Sequence, residues 1–180
     1  MSDLRLNASS PRTERVSHGP RPWRASAALL LLFAGCDAGA VADCTVSAVG
    51  VNFGIYDPFL ATPDDSVGQV TVTCTHLSGP AIEIRYTLTL STGASATYRQ
   101  RQLRSGPNTL GYNLWSDPAR SGIWGNGSSG TVIVAGLLKV GPGEGNGSRS
   151  AVHSLYGRIP ALQDAGDGDY VDSIVATLTY

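Results

Sequence analysis

Three features of the sequence predict an all-β fold, a sandwich of two antiparallel sheets. The chain holds 22 Gly and 10 Pro in 180 residues and is rich in Val and Thr, the composition of short strands joined by tight turns. Apolar residues recur at every second position in several runs, while none shows the period of an amphipathic helix. Clusters of Gly, Pro, Asn, Asp and Ser separate these runs at short spacing.

The length, with 42% hydrophobic and 15% charged residues, suits one globular domain plus a leader. The formal net charge is -1; residues 1 to 42 hold five Arg and three acids, which leaves -3 on the rest. A mildly acidic domain without a basic stripe interleaved by aromatics is not built to bind nucleic acid. The Arg residues between Arg99 and Arg104 read as a solvated strand edge or turn.

Arg21, Pro22, Trp23 and Arg24 form a positive region before the apolar run Ala25 to Ala34, which contains the leucines Leu29 to Leu32. This run is too short to span a bilayer as a stable helix, and small residues follow it, the pattern of a secretory signal peptide. Ala40, Val41 and Ala42 satisfy the small-x-small rule, so cleavage is expected between Ala42 and Asp43. The chain therefore divides into an N-terminal extension with signal peptide, 1–42, and a β-sandwich domain, 43–180. Residues 1 to 20 are a long polar preface for such a signal, as expected if translation starts downstream of Met1. A competing reading takes Leu32 to Cys36 as an approximate lipobox with Cys36 carrying the lipid, although Phe33 stands where Leu is preferred. Cleavage after Ala42 discards Cys36 and leaves Cys44 and Cys74, an even pair for an oxidising compartment.

Within the domain, Cys44 to Gly54 reads as the first strand, closed by the turn residues Asp57, Pro58, Pro63 and Asp64. Gly68 to Cys74 alternates and brings Cys74 onto the face shared by Val70 and Val72. A Cys44–Cys74 disulfide closes a loop of about 30 residues and contributes on the order of 3 kcal/mol through the unfolded state. Ala81 to Thr92 is the longest candidate, with Ile82, Ile84, Tyr86, Leu88 and Leu90 on one face, and Ser91 to Ser95 breaks it. Arg99 to Leu103, Leu110 to Trp115, Thr131 to Val140 and Val152 to Ile159 follow as strands. Trp115 and Trp124 flank Ser116, Asp117 and Pro118 and are expected to pack over the core, a sugar-stacking Trp124 being the alternative. The last strand places Ile174, Ala176, Leu178 and Tyr180 on one face and Val175, Thr177 and Thr179 on the other. A β-branched strand running to the last residue of the sequence needs partners on both edges.

Few motifs carry chemistry. Gly125, Gly127 and Gly130 formally match G-x-G-x-x-G, but they precede a strand candidate instead of following one and opening a helix. Asn126-Gly127 and Asn146-Gly147 are read as turns, and both also fit the N-glycosylation pattern. Asp164, Asp167, Asp169 and Asp172 lack the spacing of an EF-hand and are read as a solvated acidic turn before the final strand, not a calcium loop. Only His76 and His153 remain after leader removal, His76 as a surface loop residue, and neither stands in a G-x-S-x-G or H-E-x-x-H context. No enzyme activity, cofactor or metal is expected.

Taken in order, Cys44 to Ser47, Phe53 to Asp57, Val70 to Cys74, Leu110 to Leu114, Trp124 to Gly127, Tyr156 to Ile159, Gly168 to Asp172 and Leu178 to Tyr180 resemble the spore coat protein U domain family, which includes subunits of archaic chaperone-usher pili. The resemblance implies an immunoglobulin-like sandwich that lacks its final strand. In such subunits a groove beside the C-terminal strand is filled first by a periplasmic chaperone and then by the N-terminal extension of the next subunit. It further implies that Ile174, Ala176, Leu178 and Tyr180 line that groove. The implied partners are a periplasmic pilus chaperone, an outer-membrane usher and neighbouring subunits, with no small-molecule substrate; the implied destination is the cell surface. Shaft subunits carry an alternating donor segment before their first cysteine, whereas cleavage after Ala42 leaves only Asp43 here. The expectation is a tip or terminal subunit that accepts a strand, with a spore or cell coat protein or a carbohydrate-binding adhesin as alternatives.

Overall fold

In the computed structural model, residues 3–6, 41–143 and 147–180 are described. The strands are β1 (Asp3–Leu6), β2 (Val41–Val49), β3 (Asp64–Ser78), β4 (Ile82–Leu90), β5 (Arg101–Ser105), β6 (Asn108–Trp115), β7 (Val134–Val140), β8 (Ser148–Ile159) and β9 (Ser173–Thr179). A 3-10 turn, Gly93–Ser95, follows β4. The strands form two sheets, ordered β1-β9-β4-β7 and β2-β3-β8-β6-β5. All pairings are antiparallel except β1 with β9. The all-β sandwich read from the sequence is the observed fold.

Period-two alternation explains the layers. β4 buries Ile84, Tyr86, Leu88 and Leu90, β3 buries Val70, Val72 and Cys74, and β9 buries Ile174, Ala176 and Leu178. Facing each other across the gap, these rows form one core with Leu103, Tyr112, Leu114 and Leu155. Strand boundaries moved modestly. β3 begins at Asp64, which the sequence assigned to a turn, because its ladder with β8 starts at Asp64↔Ile159. β7 starts at Val134 instead of Thr131, since Thr131 closes the preceding turn: its Oγ1 donates to Ser128 O at 2.7 Å and accepts from Gly127 N at 3.1 Å. The β5–β6 hairpin turns on Gly106 and Pro107, with Gly106 at φ +55°, the positive value that a two-residue turn asks of its first central position.

Polar links cross between the sheets where apolar packing alone would let them slide. Trp124 is sealed from solvent; its backbone N–H donates to Leu114 O of β6 at 2.9 Å and its indole N–H to Leu88 O of β4 at 3.1 Å. A sugar-stacking role for Trp124 is thereby excluded, and it packs in the core as the favoured reading had it. Tyr86 Oη of β4 lies 2.8 Å from His153 Nε2 of β8. Tyr112 Oη of β6 donates to Asp172 Oδ2, just before β9, at 2.7 Å.

Two charged residues depart from their sequence assignment. Arg101, read as part of a solvated edge, is fully buried. Its guanidinium donates to Ser91 O, Trp124 O and Asn113 Oδ1 at 2.7 to 3.1 Å, and these acceptors replace the lost water. Asp172, read as part of a solvated acidic turn, is 4% exposed and accepts from Ala94 N–H at 2.9 Å and from Ser173 N–H at 2.8 Å besides Tyr112. His76 lies in β3, with Nε2 within 3.0 Å of Gly79 O, instead of in a loop.

Candidate functional site

β9 is an inner strand only because of what lies on its far edge. On one edge it pairs with β4, from Leu90↔Ala176 to Thr87↔Thr179. This pairing is extended by Ser91 N–H donating to Val175 O and Val175 N–H donating to Ser91 Oγ, both at 2.9 Å. On the other edge the partner is β1, parallel, with Asp3↔Ser173, Leu4↔Ile174, Arg5↔Val175 and Leu6↔Ala176 in register. Among the described residues from 41 onward no strand occupies that edge. The ladder with β1 runs to Ala176, so among the described residues Thr177 to Thr179 have no strand partner there.

The opposing wall of this opening is β2, the edge strand of the other sheet. Its inward residues Ala42, Val46 and Ala48 are only partly buried, while Val70, Val72 and Cys74 on the neighbouring β3 are sealed. Inward positions that stay half wet beside a sealed row mark a core that is not closed along this side. Cys44 is the exception on β2: it is bonded to Cys74, directly opposite in the ladder.

The residues expected to line a groove divide here. Ile174, Ala176 and Leu178 are buried, at 1% exposure or less. Tyr180 is 38% exposed; its ring passes the end of the ladder, and its hydroxyl donates to Asp43 Oδ1 of β2 at 3.0 Å. Ala42 and Asp43, expected at the cleavage point, lie inside β2, opposite His76 and Thr75. The signal run Ala25 to Ala34 and Cys36 lie outside the described residues.

The electrostatics around β9 favour rigidity over reactivity. Burial first, and then the neighbouring Asp172 carboxylate, push the Tyr112 hydroxyl far above the usual phenol range, so it stays a donor. Burial also lowers the affinity of Arg101 for its proton. In the other sheet, Arg158 holds Asp65 through two bonds at 2.6 and 2.7 Å, and Arg120 adds a third contact at 2.9 Å. Hydrogen bonding from Arg158 keeps that carboxyl below its ordinary range. Among the described residues, no three His, Cys, Asp or Glu side chains gather as a metal site.

Sequence reasoning did not find β1, because a four-residue Asp-Leu-Arg-Leu alternation inside a polar preface is too short to stand out. It also passed over the exposed apolar loop around Ile55 and Phe59, which are 99% and 89% exposed.

The fold is an all-β sandwich of two sheets, with a disulfide joining paired strands of one sheet and only the short β1 on the far edge of β9 in the other. The chain belongs to the spore coat protein U domain family, whose model matches residues 32–177. Protein U of Myxococcus xanthus is 33% identical over 137 residues, covering 72% of this chain and 71% of that protein. A chaperone-tip adhesion subunit pre-assembly complex, CsuC-CsuE, from archaic chaperone-usher Csu pili of Acinetobacter baumannii, aligns with a TM-score of 0.49 at 20% identity. That alignment covers 78% of this chain and 40% of the solved one.

Proposed function

We propose that this protein is a secreted structural subunit of a cell-surface assembly, joined to its partners by adding a strand to the far edge of β9, and that it performs no catalysis. The observation that carries this reading is that the far edge of β9 is paired only by β1, a strand from the N-terminal extension. After cleavage between Ala42 and Asp43, which must precede folding because that bond lies within β2, residues 3–6 are gone and the edge has no partner in the remaining chain. Backbone groups there then meet water or another chain, and a strand entering the opening would also cover Ala42, Val46 and Ala48. A periplasmic chaperone is the first partner on this reading and a neighbouring subunit at a tip or terminal position is the second, with an outer-membrane usher guiding the exchange. Membership of a structural coat family supports a place at the surface.

β1 favours a second reading. A chain that keeps residues 3–6 closes its own edge and would serve as a coat protein that needs no donor. One experiment separates the two: the 43–180 chain is exported to a periplasm with and without a cognate chaperone. Soluble protein only as a one-to-one complex is expected, and a stable unaided monomer would overturn the strand-addition reading. Leu178→Asp should abolish incorporation into the assembly, because a buried carboxylate without a partner costs several kcal/mol; normal incorporation would count against the groove.

A further inference from the structure

The pole at which β9 begins is built differently from the pole at which it ends. Here the connection between β2 and β3 meets the connection between β8 and β9, and together they enclose a pocket of about 650 Å³. Its floor includes Leu103, Leu110 and Ile159, all core residues at 2% exposure or less. Aromatic rings of Phe53, Tyr56, Phe59 and Tyr170 line it. Its charged groups are of one sign: Asp57, Asp167 and Asp169, with no Lys, Arg or His among the lining residues.

Local bonding decides what these groups offer a ligand. Tyr56 Oη donates to Pro160 O at 3.0 Å and accepts from Gln163 N–H at 2.8 Å, and Tyr170 Oη donates to Gly166 O at 2.9 Å. With both hydroxyls directed to the backbone, the tyrosines present ring surface to the pocket. Asp57 spends one oxygen on Phe59 N–H at 2.9 Å, which sets the turn that holds Phe59 out at the rim. Phe59 at 89% and Ile55 at 99% exposure then leave apolar surface in water at the mouth, a feature that marks binding surfaces.

Ring faces carry negative quadrupole, the rim carries negative charge and the floor is dry. Anions are repelled. A bare metal ion would demand more oxygen ligands than this apolar lining supplies. A neutral apolar guest would leave the carboxylates without a role. We propose that this pocket binds an organic ammonium ion, a weakly hydrated alkylated nitrogen that stacks on the rings and is drawn in by the rim carboxylates. The pocket lies beyond the N-terminal end of β9, and the seven residues of that strand carry the chain about 23 Å from there to Tyr180 at the opposite pole.

The test uses choline and its neutral isostere 3,3-dimethylbutan-1-ol, each titrated into the full chain and followed by chemical-shift changes. Saturable choline binding at least tenfold tighter than the alcohol is expected. Phe59→Ala, and separately the pair Asp167→Asn with Asp169→Asn, should each weaken choline at least fivefold with an unchanged unfolding temperature. Equal affinity for the two probes, no saturation by choline, or full choline affinity in the double Asn variant would overturn the assignment.

Discussion

Removing the Cys44–Cys74 bond has a consequence that can be worked out in advance. The bond joins directly opposed positions of β2 and β3 with a sequence separation of 30. Loop-closure entropy for such a cross-link amounts to about 3.6 kcal/mol at 25 °C. Unfolding entropy of about 2.1 cal/mol/K per residue over residues 43 to 180 converts this into a fall of about 12 °C in Tm. The loss falls unevenly, because β2 is an edge strand paired only with β3 and its inward Val46 and Ala48 are incompletely covered. Amides of β2 are therefore expected to exchange faster than those of β3 and β8 in the variant, ahead of global unfolding. Urea and thermal unfolding of the Cys44→Ala/Cys74→Ala chain, beside the reduced wild type, is the assay; the reduced protein keeps the sulfur volume and so separates cross-linking from cavity formation. A loss below about 1 kcal/mol in both forms would refute the reasoning and mean that the unfolded chain is already restrained at this point.

Other perturbations address the links between the sheets. Arg101→Leu strands the carbonyls of Ser91 and Trp124 and leaves the amide oxygen of Asn113 with the Leu114 N–H alone, and a loss of about 3–5 kcal/mol is expected in denaturant titration. Gly93 sits at φ +66°, and a Cβ there would run into Asp172 Oδ2 and come within 2.7 Å of Ile174 Cδ1; Gly93→Ala should cost about 1–3 kcal/mol and loosen the start of β9, seen as faster exchange of the Ser173 amide. Burial lowers the affinity of His153 for a proton, so the unfolded chain binds more protons than the native one as acidity rises. The native state then holds the full contribution of a neutral His153 above the unfolded pKa near 6.5 and loses it as pH falls below that value. Midpoint urea concentrations measured from pH 7.5 to 5 should decline, and His153→Gln should flatten that decline; an unchanged slope would remove His153 from the account.

Much of the fold was legible because alternation is a local property. Rows such as Val70, Val72 and Cys74, or Leu88 and Leu90, announce which face is dry without knowledge of the partner strand. The two misplaced charges failed for one shared reason. Arg101 has the same parity as Leu103, and Asp172 the same parity as Tyr170, Ile174, Ala176 and Leu178, so period two alone assigned both to the interior. Charge was allowed to override parity, yet a guanidinium or carboxylate can be buried when the backbone of other strands supplies its bonds. Those donors and acceptors, Ser91 O, Trp124 O and Ala94 N–H, come from turns that only the tertiary fold brings near. The candidate edge was legible on its inner side, from the Ile174, Ala176 and Leu178 row. Its occupant was not, because what fills a strand position is a matter of topology, and β1 comes from a stretch with no strand signal of its own. The ammonium pocket stayed hidden because its lining is collected from loops far apart in sequence.

The Cys44–Cys74 bond also sets how this domain would carry a mechanical load. Tension applied at Asp43, with the molecule gripped along β9, can peel only the rung Asp43↔Thr75 before it reaches sulfur. From there the force crosses into β3, which is held by neighbours on both sides, and residues 45 to 73 drop out of the load path. At about 3.3–3.6 Å per extended residue, roughly 100 Å of slack is never paid out while the bond is intact. A domain loaded in this way would stretch short and break late, and a reducing environment would turn it compliant.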